Sequence, residues 1–443
     1  MSSVLTDVCG LTIGGIFMSK DTLSSYDVLN KFFDDGSFTE TDAYLKSESG
    51  KAEAVTGFGT VDGIPAFAFA QDVDACGGAM SKAQAKKITK LFNAALKVGA
   101  PVVGFYDSEG GRLEQKYELL SAYGDILRKS AKLSGVVPQI SVVLGNCIGT
   151  SALIAASADY VIMAEDAKLS VNTYGADDSA EVNQKNGVAS FVCEDKAAAI
   201  EKAKTLLSYF PTNNLEAAPA FESVPAYDNP DKLPKVIADN DSLLCVGGGY
   251  GDDVCTAFGR VDGNPVGFVV TKGGDISADA AKKISKHVRF CDAFSIPLIT
   301  LVDAKDFESI QDASALVSAY ADATTAKISV ITGTALGAVY IALAGSTSGA
   351  DIVYALPEAI VSPIAPMAAA YILDPTIADA KFEEQHDLMM RYIKENLTAE
   401  KAAGDGYIDD IAEGAELRAK IIAALNMLSS KRVATLPKKH TTK

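Results

Sequence analysis

The chain has 443 residues, room for two large domains or about three ordinary ones. Forty Lys and Arg stand against 57 Asp and Glu, a net charge of −17, which disfavours nucleic acid and anionic membrane surfaces as partners but not a small anion held by local dipoles. Apolar residues make up 48% and charged residues 22%, so the chain is globular; Trp is absent and His occurs three times (His287, His386, His440), which argues against chemistry built on several histidines.

The seven cysteines are scattered and never spaced as CxxC. That argues against a zinc site and a disulfide framework, and it fits a reducing, cytoplasmic setting. The N-terminus, MSSVLTDVCGLTIGGIF, has no basic n-region and is not read as a signal peptide.

In chain order, GFGTVDGIPAFAF (57–69) predicts a strand hairpin turning at Asp-Gly. Gly77-Gly78-Ala79 either ends that hairpin or lines a pocket. Ser81 predicts an N-cap, with AKKI inside the helix that follows. PVVGFYD (101–107) is a buried strand leading to DSEGGRL (107–113), and a second helix follows. The stretch 140–158 carries no charge. It opens on the β-branched run ISVV and breaks at Gly145-Asn146-Cys147-Ile148-Gly149-Thr150-Ser151-Ala152. A buried strand, a turn and a short helix fit it better than a membrane span.

The same order then recurs. GFGTVDGIPAFAF returns as AFGRVDGNPVGFV (257–269), and the segment 81–110 as 277–306. ISVVLGNCIGTSALIA (140–155) returns as ISVITGTALGAVYIAL (328–343), and ADYVIMAEDAKLSV (158–171) as ADIVYALPEAIVSP (350–363). This scale excludes a short-period solenoid and leaves two copies of one α/β domain. The Pro-rich, non-periodic stretch 210–234 lies between them. The expected organisation is a first domain at 1–215, a linker at 216–235 and a second domain at 236–443, with KRVATLPKKHTTK as an exposed tail.

Each copy places a glycine turn between a strand and a helix: Gly149-Thr150 in the first, Gly337-Ala338-Val339 in the second. Free N–H groups and a positive dipole end collect there. Such a turn can stabilise the oxygen of a thioester as it becomes an enolate, or it can be ordinary strand-to-helix chemistry. Gly110, Gly111 and Arg112 offer amides and a guanidinium to a phosphate or pantetheine amide, or form a turn and helix cap. There is no GxxxxGK[ST], no strand-linked GxGxxG, and no GxSxG around Ser151. His287 lies at helical spacing from Ile284 and Cys291 and reads as a helix residue rather than a base.

Several long segments carry a family resemblance. LLSYFPTNNLE (206–216), DSEGGRL (107–113), LSGVVPQISVVLGNCIGT (133–150), HVRFCDAFSIPLITLVD (287–303) and AYADATTAKISVITGTALGAVY (319–340) resemble the carboxyltransferase subunits of biotin-dependent acyl-CoA carboxylases, with the related transcarboxylase and decarboxylase α-subunits. The resemblance implies two tandem crotonase-like (ClpP/crotonase) domains, an α/β fold. It implies that carboxybiotin, borne on a separate carrier protein, releases CO2 beside an acyl-CoA thioester. The α-proton passes to biotin and the enolate attacks CO2. The thioester oxygen would face the amides of Gly149 and Thr150, and the ureido oxygen those of Ala338 and Val339, with Gly337 making the turn. Gly77, Gly78, Gly110, Gly111 and Arg112 would bind substrate. Ile341 falls where the family tunes acyl size and where propionyl-type enzymes commonly hold an acidic residue. The site would lie between the N-half of one subunit and the C-half of another, so a dimer-based homo-oligomer, often a hexamer, is implied. Biotin carboxyl carrier protein and biotin carboxylase or decarboxylase subunits are the implied partners.

The chain departs from the family pattern in three places. Thr150 and Ala338 each replace the second glycine of a turn; 304–318 (AKDFESIQDASALVS) is shortened where a biotin-side loop should stand; and 171–191 is abbreviated. No Met-Lys-Met biotinylation motif occurs. The expected function is carboxyl transfer between carboxybiotin and acetyl-, propionyl- or methylmalonyl-CoA. The α-subunit of a sodium-pumping decarboxylase is one alternative, and a non-catalytic scaffold with a trimmed biotin site is another.

Overall fold

The computed structural model describes residues 23–48, 50–172, 177–226, 233–376 and 381–433. The N-terminal stretch, most of the basic tail and parts of 171–191 and 210–234 lie outside them. By contacts the described chain forms two compact units: the residues up to Asn183 with Phe191–Thr205, and Gln184–Ser190 with Leu206 onward.

The first unit opens with α1 (Ser25–Phe32), capped by the Ser24 side chain, which accepts the Asp27 N–H. Strand β1 (Thr39–Thr41) follows, then a small ribbon, β2 (Lys46–Ser47) with β3 (Gly50–Lys51). Next come β4 (Ala54–Val61), β5 (Ile64–Gln71), α2 (Lys82–Val98), β6 (Val102–Ser108), α3 (Tyr117–Leu133), β7 (Gln139–Ile148) and α4 (Thr150–Ala156). The unit is completed by β8 (Tyr160–Ala164), β9 (Lys168–Ser170), most of α5 (Ala180–Lys185), β10 (Phe191–Cys193) and most of α6 (Lys196–Leu207). The sheet order is β1-β4-β5-β6-β7-β8-β10, with β9 on the far end of β7. Pairing is antiparallel from β1 to β5 and parallel from there on.

The second unit repeats this plan. It contains α7 (Leu233–Ile237), β11 (Leu244–Val246), β12 (Val254–Val261), β13 (Asn264–Thr271), α8 (Ala278–Ala293), β14 (Leu298–Ala304), α9 (Ile310–Asp322) and β15 (Lys327–Leu336). A single turn, α10 (Gly337–Val339), runs on as a π-helical turn, Tyr340–Ala344. Then come β16 (Ile352–Ala355), β17 (Ile360–Ser362), α11 (Pro366–Leu373), α12 (Phe382–Asn396), α13 (Ala399–Gly404), β18 (Asp410–Ile411) and α14 (Gly414–Leu428). The order β11-β12-β13-β14-β15-β16-β18, with β17 on β15, matches the first sheet.

Local chemistry explains these elements. Asp62-Gly63 and Asp262-Gly263 all take positive φ, so each hairpin turns as its Asp-Gly pair predicts. Ser81 accepts the Gln84 N–H and Ser277 the Ala280 N–H, which caps α2 and α8. Helix α2 buries Ala85, Ile88, Leu91, Phe92 and Ala95, one face at helical spacing. Strands β6, β8 and β14 are buried at nearly every position, as parallel strands covered on both faces must be. The uncharged stretch 140–158 and its uncharged counterpart at 328–350 both fold as strand, turn and short helix, and no helix among the described residues is long and apolar enough to cross a membrane.

Two features were not anticipated. The second unit holds α11 and α12, for which the duplication gives no counterpart. Leu206 to Phe210 pack into the second unit, ahead of the expected boundary at 215: the Phe210 ring lies 4.6 Å from Phe290 and 5.0 Å from Phe258.

One irregularity occurs in both sheets. Tyr106 pairs with Val143, but Ser108 pairs with Cys147. Val302 pairs with Ile331, but Ala304 pairs with Ala335. In each case the later strand bulges opposite one aspartate, Asp107 or Asp303.

Candidate active site

The predicted residues of the first unit gather at the C-terminal ends of β5, β6 and β7. After β5, Cys76, Gly77 and Gly78 all take positive φ (53°, 61° and 65°). Gly77-Gly78 therefore form a left-handed turn rather than the end of a hairpin. A side chain at Gly78 would sit 2.3 Å from the Asp107 carbonyl oxygen, so glycine is required there. The loop after β6 docks on this turn. Glu109 N–H donates to the Gly77 carbonyl at 3.0 Å, Met80 N–H to that of Gly110 at 2.8 Å, and Arg112 N–H to that of Met80 at 2.9 Å. In such a parallel bridge the middle residue, Gly111, turns its own N–H away from Met80. Gly111 also packs against Leu119 and the Tyr123 hydroxyl, and that hydroxyl lies 3.4 Å from Ser151 Oγ at the start of α4.

Gly149 makes the turn from β7 into α4 with φ 73°, and a Cβ there would meet nothing within 4 Å. The turn is open on that side. The Gly149 N–H, however, donates to the Ser170 carbonyl at 2.8 Å. This corrects the expectation that Gly149 is an oxyanion donor: β9 occupies its N–H, and Gly149 instead sets the turn. Thr150 and Ser151 begin the helix, and their N–H groups have no helical carbonyl to bind.

Arg112 also departs from expectation. Its guanidinium binds Glu53 at 2.8 Å and also Glu114, and its side chain is 11% exposed. Glu53 is wholly buried and accepts the Ser81 hydroxyl as well. The guanidinium is thus committed to carboxylates of its own chain and locks the Gly110–Arg112 loop to the start of α2.

The second unit builds the same frame with other side chains. Ile276 N–H donates to the Asp306 carbonyl at 2.8 Å and Glu308 N–H to that of Ile276 at 3.0 Å, so Phe307 stands where Gly111 stands. Its N–H donates to Asp306 Oδ1 at 2.8 Å. Gly337 has φ 37°, and a Cβ would lie 2.7 Å from the Pro363 carbonyl. Ala338 and Val339 occupy the first helical turn with N–H groups free of helical partners. Ile341 is 56% exposed in the π-helical turn, four residues past its glycine; Leu153 holds the same place after Gly149 and is 47% exposed.

The acid–base inventory is spare. His287 is buried against Phe258, and burial holds its imidazole down to about 3, so it stays neutral and is no general base. Burial pushes the thiols of Cys147 and Cys291 up, which makes them inert. Burial also raises the Asp107 carboxyl, opposed by Lys196 at 3.6 Å and by the Asn146 N–H. Among the described residues no group of His, Cys, Asp and Glu could hold a metal. Sequence reasoning missed Ser170 and Asp306. Ser170 acts through a main-chain carbonyl, which leaves no mark in residue identity.

The carboxyl transferase domain family matches residues 20–442. The chain belongs to that family. It is 33% identical to the methylmalonyl-CoA decarboxylase α-subunit of Propionigenium modestum, over 94% of this chain and 92% of that one. It is 32% identical to the methylmalonyl-CoA carboxyltransferase 12S subunit of Propionibacterium freudenreichii subsp. shermanii, over 93% and 90%. A solved transcarboxylase 12S structure, a hexamer with methylmalonyl-CoA and methylmalonic acid bound, superposes with a TM-score of 0.88 at 32% identity, over 95% of this chain and 92% of that one. The family resemblance, the tandem crotonase-like α/β fold and the enzyme class, an acyl-CoA carboxyltransferase, therefore stand as expected from the sequence.

Proposed function

We propose that this carboxyltransferase moves a carboxyl group between biotin on a separate carrier protein and a short-chain acyl-CoA: acetyl-, propionyl- or methylmalonyl-CoA. One observation carries the acyl-CoA half. In the first unit the Gly111 N–H, turned away from Met80, and the first-turn N–H of Thr150 belong to two backbone segments that pack together through Tyr123 and Ser151. Two such donors suit a thioester oxygen that gains charge as the α-proton leaves. Gly110 and Gly149 add no side chain beside these donors, and Gly77 and Gly78 let the turn after β5 pack closely on the loop after β6.

In the second unit the amides of Ala338 and Val339 fit a ureido oxygen, and Gly337 makes the turn that precedes them, tight against the Pro363 carbonyl. The fit is narrower than in the first unit, because the Asp306 carboxylate holds the Phe307 N–H. Biotin would supply the carboxyl group and receive the proton, so the protein need only bind, orient and hold charge. Ile341 is positioned to sense acyl size.

We place the protein in the cytoplasm as a homo-oligomer, dimer-based or hexameric, partnered by biotin carrier and biotin carboxylase or decarboxylase subunits. The named α-subunit relative supports a second reading, the same half-reaction run as a decarboxylation. The test is carboxyl exchange from malonyl-CoA or methylmalonyl-CoA to free biotin by the purified protein. Exchange above the rate without protein supports the proposal; its absence in folded protein favours the non-catalytic scaffold.

A further inference from the structure

We infer that Asp107 and Asp303 are positioning residues, each carboxylate plugging a strand bulge and so fixing the turn that follows. The role in turnover rests on the carboxyltransferase function proposed above. The placement itself does not.

The bulge leaves a main-chain N–H without a ladder partner. In the first unit that group is Asn146 N–H, and it donates to Asp107 Oδ1 at 3.2 Å. In the second it is Thr334 N–H, which donates to Asp303 Oδ1 at 2.8 Å. Both donors lie three residues ahead of the turn glycine, Gly149 or Gly337.

Each carboxylate also presses on a glycine of the bulge. A Cβ at Gly145 would lie 2.3 Å from both Asp107 oxygens, and one at Gly333 2.5 Å from Asp303 Oδ1. No other residue allows that approach. Each aspartate is held from behind by an equivalent residue ending the preceding strand. Asp107 N–H donates to Gln71 Oε1 at 3.1 Å, and Asp303 N–H to Thr271 Oγ1 at 2.7 Å. The surrounding residues differ between the units: Asn146 against Thr334, Ser108 against Ala304, Glu109 against Lys305. The aspartate and the glycine it touches are the same in both.

A re-aimed strand end sets where the first-turn amides of α4 and α10 point, and small displacements of such donors are costly in rate. The carboxylate acts as an acceptor here, so an amide oxygen should replace it.

Asp107→Ala should lower kcat for carboxyl transfer about 10- to 100-fold while KM for the acyl-CoA stays within about threefold. Asp107→Asn should restore most of kcat. Amide hydrogen exchange at residues 146–150 should speed up in the alanine variant alone, with residues 334–338 unchanged. Asp303→Ala should do the reverse. Should Asp107→Ala fail to fold, Gly145→Ala displaces the carboxylate by another route and should show the same kcat loss. Unchanged exchange and unchanged kcat in Asp107→Ala would overturn the inference. So would an asparagine variant as impaired as the alanine one. If wild-type protein transfers no carboxyl group, the proposed function fails, and amide exchange still decides the placement.

Discussion

The N–H of Gly149 and the carbonyl oxygen of Ser170 lie 2.8 Å apart, which ties the glycine turn to β9 and leaves Thr150 as the first amide of α4 free of a strand partner. Proline is tolerated at this first helical position, where the N–H it lacks makes no helical bond. Thr150→Pro should therefore fold with little change in Tm, yet lower kcat about 100- to 1000-fold, the usual cost of one lost oxyanion donor. Steady-state transfer assays beside a thermal melt check this. Unimpaired turnover would remove Thr150 from the site.

Arg112 and Glu53 form a pair that is almost wholly buried. Removing one partner strands the other's charge. Arg112→Ala should destabilise the first unit by roughly 3–5 kcal/mol, measured by denaturant unfolding. Arg112→Lys should rescue little, since an ammonium cannot fork between Glu53 and Glu114. A rise in KM for acyl-CoA with stability unchanged would instead show the guanidinium reaching substrate.

Lys327 donates to the Tyr320 and Ala323 carbonyls at 2.5 and 2.7 Å, closing the end of α9. Burial, with Lys431 nearby, holds its ammonium down to about 8. Below that value folded and unfolded chains both carry the proton, and the folded state bears the full penalty. Between about 8 and 10.5 the folded chain releases the proton first, so stability rises with pH across this window, by up to roughly 3 kcal/mol. The first unit places Gln139 at the equivalent position, paired with Ser130. Lys327→Gln should abolish the rise, seen as a stability difference from wild type that changes only between those pH values.

Ile341 tests acyl selection. Ile341→Val should change the ratio of kcat/KM for acetyl- and propionyl-CoA by up to about 10-fold, with melting unchanged, because one methylene is worth about that much. A constant ratio would place Ile341 outside the acyl pocket.

The frame was legible in the sequence because hairpins, caps and buried strands depend on residue type. Asp62-Gly63, Ser81 and the run ISVV each predict their element, and the repeat makes each prediction twice. The site was legible only to the level of segments. Gly149 carries the right residue for a turn, but its N–H is taken by a carbonyl of β9, a contact any residue at 170 could make. Arg112 advertises an anion site from the sequence. Its partner Glu53 lies in a distant segment and is found only when the chain is folded. Asp306 is one more surface acid in the sequence, and its importance comes from the main-chain N–H it meets.

The two strand bulges carry a historical consequence. Two extra residues stand opposite the same aspartate in both halves. An insertion made separately in each would have had to choose one place twice. A single device present before the duplication accounts for both. The loops just beyond it differ, Gly-Gly-Arg in one half and Asp-Phe-Glu in the other.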